Sequence, residues 1–143
     1  MTITVYTDGA CSGNPGRGGW GAVILIDKTK PVYIQGGLNL TTNNQMELTA
    51  AIEVLKYFKE STKINLLTDS KYLKDGIESW IHNWKRNGWK TAAKKPVKNK
   101  ELWIELDKQI SRHDIEWQWV KGHIGNKYNE TADYLARRYI EES

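Results

Sequence analysis

The segment from Ile3 to Leu25 constrains this chain more than any other. Residues 2–7 alternate between apolar and polar and are rich in β-branched and aromatic types, which predicts a strand. Asp8 follows directly and is the only acid before Asp27. Gly9 to Gly19 reads as a glycine-rich loop, and Trp20 to Ile26 as a second strand. A carboxylate placed where a buried strand runs out costs free energy unless it is partnered. The fold must therefore bring Asp8 something to bind.

Pro31 to Gly36 predicts a third strand, and the short spacings make the first three an antiparallel meander. Thr42 followed three residues later by Gln45 is a capping box. It opens a helix whose apolar stripe is Leu48, Ala51, Ile52, Leu55 and Phe58. Ile64 to Thr68 is a short apolar strand of the kind buried on both faces. A strand reached through a helix implies a parallel crossover, so the sheet is mixed. Leu73, Ile77, Trp80, Ile81 and Trp84 mark a second helix, which Gly76 weakens or splits. Leu102, Trp103, Leu106 and Ile110 mark a third, residues 115–120 a fifth strand, and Ala132, Leu135, Ala136, Tyr139 and Ile140 the last helix. Residues 141–143 are expected to fray. The expectation is one α/β domain over residues 1–143, with helices on both faces of a five-stranded mixed sheet.

Three further acids, Glu47, Asp69 and Asp133, sit at positions comparable to Asp8. Asp69 follows the fourth strand as Asp8 follows the first. If those strands are parallel neighbours, both acids emerge at one sheet end, where open α/β sheets bind ligands. Glu47 lies within about the first turn and a half of its helix. Asp133 lies beside Ala132 and Ala136. Taken singly, each reads as a turn or helix-edge residue, and Asp69-Ser70 as an N-cap pattern. Taken together, they face strong repulsion, since two like charges about 4 Å apart cost roughly 4 kcal/mol at an effective dielectric of 20. Divalent cations remove that cost. Oxygen ligands without histidine or thiolate favour Mg²⁺ or Mn²⁺ over Zn²⁺. Two such ions about 4 Å apart can activate a water and stabilise a leaving oxygen in phosphodiester hydrolysis.

Charge points to the same class of substrate. The chain of 143 residues carries a net +4, but residues 80–100 hold seven cations and no acid, while the remainder has 14 basic and 17 acidic residues. Lys85, Arg86, Lys90, Lys94, Lys95, Lys98 and Lys100 therefore form a local polyanion contact, in a basic protrusion at about 85–100. Apolar runs are too short for a membrane span. No signal-peptide pattern opens the chain, and the single Cys11 cannot form an internal disulfide. A monomer in a reducing cytoplasmic setting fits these features.

The segments Tyr6–Gly16, Thr42–Leu48, Leu67–Ser70, Trp80–Trp84, Val120–His123 and Asn129–Asp133 resemble, in order and over essentially the whole chain, the type 1, bacterial-type ribonuclease H family. The resemblance implies a ribonuclease H-like fold and Mg²⁺-dependent endonucleolytic cleavage of RNA paired to DNA, leaving 5′-phosphate and 3′-hydroxyl ends. It implies that Asp8, Glu47, Asp69 and Asp133 hold two metal ions, with Asp8 bridging them and Mn²⁺ a possible substitute. It implies that His123 assists catalysis, and an unperturbed pKa near neutrality suits proton transfer or product release.

The partner implied is an RNA–DNA hybrid, whose RNA strand is told from DNA by its 2′-hydroxyls. Cys11, Asn14, Asn43 and Asn44 match positions that touch sugars and bases in the minor groove. Asn14-Pro15 is also a turn signal, and the two asparagines open a helix. Trp80 and Trp84 fit the core stripe, yet the resemblance places them along the DNA strand, beside phosphate contacts from the basic segment. Thr42 and Asn99 match groups of a DNA phosphate pocket. Leu40 and Gln45 stand where relatives commonly carry arginine, which predicts a weaker grip there and more reliance on residues 85–100. Lys71 replaces a glutamine often seen in bacterial members, and is counted with the substrate-facing residues.

Rival readings are separable. The glycines at 13, 16 and 19 are spaced GxxGxxG and precede a strand, which excludes a dinucleotide-binding turn. An integrase or junction resolvase would share the carboxylates but cut branched DNA. A non-catalytic hybrid-binding module would bind without turnover. The same residues would also serve a free-standing enzyme or a domain of a reverse transcriptase.

Overall fold

The computed structural model describes residues 3–120 and 127–142. Five strands, β1 (Ile3–Ser12), β2 (Gly16–Ile26), β3 (Val32–Thr41), β4 (Lys63–Thr68) and β5 (Asp114–Trp119), form one sheet in the order β3-β2-β1-β4-β5. β1/β2 and β2/β3 are antiparallel, and β1/β4 and β4/β5 are parallel. This is the mixed sheet expected from a meander followed by crossovers.

β1 and β2 are longer than their hydrophobic runs. β1 continues through Gly9 to Ser12, and only Gly13 to Pro15 remain as the turn. Backbone pairing from Asp8↔Gly21 to Ser12↔Arg17 makes residues 9–19 a hairpin rather than a loop. What stops near Asp8 is the parallel ladder, whose last pair is Tyr6↔Leu67. Asp8 is thus mid-strand in one pairing and just past the end of the other.

Helix α1 (Asn43–Tyr57) covers one face of the sheet. Its Leu48, Ala51, Ile52 and Leu55 pack with Ile3, Val5, Ile24, Ile64 and Leu66 in the main core. Each Leu, Ile or Val so buried contributes about 1.5–3 kcal/mol. Thr42 caps the helix by accepting from the Gln45 N–H at 3.2 Å. The reciprocal half of the capping box does not form: the Gln45 amide turns to Thr41 and Asn99 instead.

The expected second helix is α2 (Lys71–Asp75), a π-helical turn (Gly76–Trp80) and α3 (Ile81–Arg86) in succession. The chain stays helical through to Arg86, but the α-helix is split at Gly76, where the π-helical turn begins. A Cβ there would stand 2.0 Å from the Trp103 indole, so glycine is what lets α4 (Lys100–Arg112) pack this closely. On the other side of the sheet, α5 (Lys127–Glu142) rests on β2 and β1, with buried Ala132 and Ala136 against Gly21 and Gly19. α5 stays helical through Glu141 and Glu142, where fraying is expected.

The basic segment is only partly a protrusion. Val97 is buried, and half-buried Trp89 packs against Trp84 with ring centroids 6.3 Å apart. A Lys90–Pro96 bridge closes the loop, and Trp89, Lys94 and Asn99 take left-handed backbone conformations. No helix among the described residues is long and apolar enough to cross a membrane.

Candidate active site

Asp8, Glu47 and Asp69 converge from β1, α1 and the end of β4. One oxygen of each lies within 4.8 Å of the others. Asp8 and Glu47 are buried and Asp69 is half-buried. The convergence depends on Gly9: a Cβ there would lie 2.6 Å from the Glu47 nitrogen. Its absence lets the first turns of α1 rest on the β1 backbone and brings the Glu47 carboxylate to Asp8. The Gly9 N–H donates to Asp8 Oδ1 at 2.9 Å and fixes that side chain.

The electrostatics are those of a site waiting for positive charge. Burial pushes the Glu47 carboxyl well above its ordinary range; the charge of Asp8, a hydrogen bond with Asp8 and the charge of Asp69 add to this, and the Gly9 backbone only partly opposes it. Glu47 Oε1 is buried with no hydrogen-bond partner among the described residues. A structural carboxylate in such a place would normally be satisfied. An oxygen-only donor set with a buried, unmatched acceptor fits a hard divalent cation.

Asp133 is not among the acids whose oxygens lie within 4.8 Å of one another. Arg137, one turn along α5, binds its Oδ2 through Nη2 at 2.6 Å. His123 lies outside the described residues.

The cleft over the carboxylates, about 360 Å³, is lined by Asp8, Gly9, Asn43, Asn44, Glu47, Asp69, Ser70, Lys71 and Tyr72. Lys71 is exposed at its rim. Asn14 Oδ1 accepts from the Asn43 N–H at 3.1 Å, which ties the β1–β2 turn to the start of α1. Cys11 Sγ donates to the Thr41 carbonyl at 3.3 Å and lies 3.5 Å from that of Gly16. Asn43 and Asn44 line the cleft, and these bonds hold Asn14 against Asn43 and Cys11 against Thr41 beside it.

A second groove, also about 360 Å³, is lined by Tyr72, Trp80, Asn83, Trp84, Thr91, Val97 and Lys98. Its floor is aromatic: Trp84 has Trp80 at 5.8 Å and Trp103 at 5.4 Å between centroids, and Trp80 is 37% exposed. Lys94, Lys95 and Lys98 are exposed on the arm beside it. Lys85 is drawn instead to Asp107 on α4 at 3.3 Å, and Arg86 donates to Asn83 Oδ1 at 2.5 Å.

The two clefts meet at Tyr72, which sequence patterning does not single out. Its hydroxyl accepts from Asn99 Nδ2 at 3.1 Å and Trp103 Nε1 at 3.0 Å. Asn99 Oδ1 accepts from Gln45 Nε2 at 3.1 Å, and Gln45 Oε1 accepts from Thr41 Oγ1 at 2.7 Å. Gln45 and Asn99 also line a polar hollow of about 500 Å³ at the start of α4, whereas Leu40 is 73% exposed and offers no charge. The one sequence signal for Tyr72 is its place three residues after Asp69 on a helix that begins at Lys71.

A family model described as RNase H matches residues 1–141. The chain is 58% identical over 140 residues to the ribonuclease H of Ehrlichia canis, covering 98% of this chain and 95% of that protein. It is 56% identical over 140 residues to the ribonuclease HI of Pseudomonas aeruginosa, covering 98% and 94%. Among solved structures, LC9-RNase H1, described as a type 1 RNase H with the type 2 active-site motif, superposes with a TM-score of 0.87 at 31% identity, over 99% of this chain and 72% of that one. LC11-RNase H1 in complex with an RNA/DNA hybrid shares the fold, with a TM-score of 0.72 at 23% identity over 99% and 98%.

Proposed function

The chain belongs to the ribonuclease H family, and on that footing we propose how its residues carry out the family's reaction. It is an endoribonuclease that hydrolyses the RNA strand of RNA–DNA hybrids, and it depends on metal. The observation that carries the assignment of its site is the Asp8–Glu47–Asp69 convergence inside a cleft rimmed by asparagines.

Asp8, Glu47 and Asp69 would hold the metal, with Asp133 as a further ligand; the expected ion is Mg²⁺, two per site, with Mn²⁺ as substitute. When bound, such ions supply activation of a water and stabilisation of the departing oxygen. The water attacks the scissile phosphorus, the P–O3′ bond breaks, and the products carry 5′-phosphate and 3′-hydroxyl ends. His123 takes part in proton transfer at its imidazole.

Cys11, Asn14, Asn43 and Asn44 read the RNA strand through its 2′-hydroxyls, with Lys71 beside them. Trp80 and Trp84 receive the DNA strand in the aromatic groove. Thr42 and Asn99 meet a DNA phosphate, weakly because Leu40 and Gln45 bring no charge. Arm residues Lys94, Lys95 and Lys98 add salt-sensitive phosphate contacts, with Lys85 and Arg86 behind them. The protein works as a cytoplasmic monomer on this one partner.

The test is cleavage of four labelled duplexes in Mg²⁺: RNA–DNA, RNA–RNA, DNA–DNA and a four-way DNA junction. RNA cut internally in the hybrid alone, and not in EDTA, is the expected result. Cutting of the junction instead, or no cutting of the hybrid, defeats the assignment.

A further inference from the structure

Asp133 is a proposed metal ligand that a protein cation already holds. Asp8, Glu47 and Asp69 lie together with their oxygens within 4.8 Å, while Asp133 Oδ2 is bound by Arg137 Nη2 at 2.6 Å. The spacing i,i+4 on α5 puts acid and base on one face of the helix, so the pairing is built into the sequence. The Asp133 side chain is 20% exposed and that of Arg137 64%. The guanidinium is therefore free to swing into water, and a pair this open binds weakly.

We propose that Arg137 is a positioning residue that occupies Asp133 in the metal-free protein and sets the metal concentration at which this fourth carboxylate joins the site. The inference rests on the reading of the four acids as metal ligands. The trio binds first, because no cation among the described residues competes for Glu47 Oε1, which lies buried and unmatched. Asp133 follows only when it exchanges Arg137 for the ion. Occupancy of the site is then stepwise, and the second step is tuned by a residue that touches neither substrate nor reacting atoms.

The test uses the full chain stripped of metal, with Mg²⁺ or Mn²⁺ as the only added ligand. Calorimetry measures Mn²⁺ affinity, and ¹³C NMR follows the side-chain carboxyls of Asp69 and Asp133 during a Mg²⁺ titration. In the wild type, Asp69 is expected to respond at lower Mg²⁺ than Asp133. In Arg137→Gln, the Asp133 response should move about two- to fivefold lower in concentration, the range an exposed pair commands. Arg138→Gln is the control. It removes the same charge from the same helix and an equivalent pair, Arg138 to Glu142 at 2.8 Å, but leaves the Arg137–Asp133 pair in place. An unchanged or weaker Asp133 response in Arg137→Gln, or an equal shift in Arg138→Gln, overturns the proposal. Asp69→Asn separates the two levels: if it binds metal as the wild type does, the metal reading fails and the proposal falls with it.

Discussion

Asp8, Glu47 and Asp69 place three acids within 4.8 Å, and two of the three are buried. Burial, the charge of Asp8 and the charge of Asp69 all push the Glu47 carboxyl well above its ordinary range, so the trio is costly to hold ionised. Asp69→Asn should therefore separate cost from use. Loss of one charge is expected to stabilise the fold by on the order of 1 kcal/mol, a fraction of the roughly 4 kcal/mol for a fully ionised pair at 4 Å. Cleavage in Mg²⁺ should fall by about 10² to 10³, the scale of removing a charge-stabilising group from an active site. Urea titration and a hybrid-cleavage assay read the two effects; a variant with near-normal turnover would remove Asp69 from the site.

His113 gives a pH dependence far from the cleft. Its Nδ1 accepts from the Thr62 N–H at 3.1 Å and its Nε2 lies 3.0 Å from the Leu55 carbonyl, an arrangement that needs a neutral ring donating from Nε2. Burial holds its pKa below the ordinary 6.5, Arg112 pushes the same way, and the Leu55 carbonyl opposes them. Because the unfolded chain takes up the proton more readily, the contribution of His113 is complete above about pH 6.5 and is lost as pH falls toward the depressed folded value. Glu47 titrates in the opposite sense, so the readout is a difference: His113→Gln, which can keep both hydrogen bonds, should lose less stability than wild type between pH 7.5 and 5.5. Parallel slopes in urea titrations would refute this.

At the scale of elements, the arm before α4 joins anchoring to display. Val97 and Trp89 tie it to the aromatic cluster, and Lys94, Lys95 and Lys98 stand out into water. Replacing these three lysines with alanine should leave the fold intact and weaken hybrid binding. The plot of log affinity against log salt should flatten by about two to three, near 0.9 for each phosphate no longer neutralised. An unchanged slope would mark the arm as a solvated turn. Element order and sheet class were legible because periodicity and crossover rules act locally. The length of β1 was not, because backbone pairing of Gly9 to Ser12 with β2 leaves no hydrophobic trace. The trio was legible from spacing and family likeness together, whereas the turn of the Gln45 amide toward Asn99, 54 residues on, is a tertiary choice that a capping pattern cannot foresee. The grip of Arg137 on Asp133 was written in the i,i+4 spacing but had no meaning until the trio was seen to form without Asp133.

For the whole molecule, the proposed metal site would couple metal to folding, because β1, α1 and the end of β4 bring its three acids together only in the native state. Unfolded, they are spread over the chain and bind a divalent ion poorly. Metal binding must then raise stability by RT ln(1 + [L]/Kd), about 1.4 kcal/mol for each tenfold rise in concentration above Kd. In a chain of this size, 1 kcal/mol moves the melting midpoint by roughly 2–4 °C. The midpoint should climb steadily with Mn²⁺ or Mg²⁺ and return to its starting value in EDTA. Ionic strength alone also screens the repulsion, so matched additions of a monovalent salt are the control. Asp69→Asn should start from a higher midpoint and respond little to metal. Equal shifts in both proteins would place the metal elsewhere on the surface, and no shift in either would mean that the acids are held together by the fold without a cation to serve.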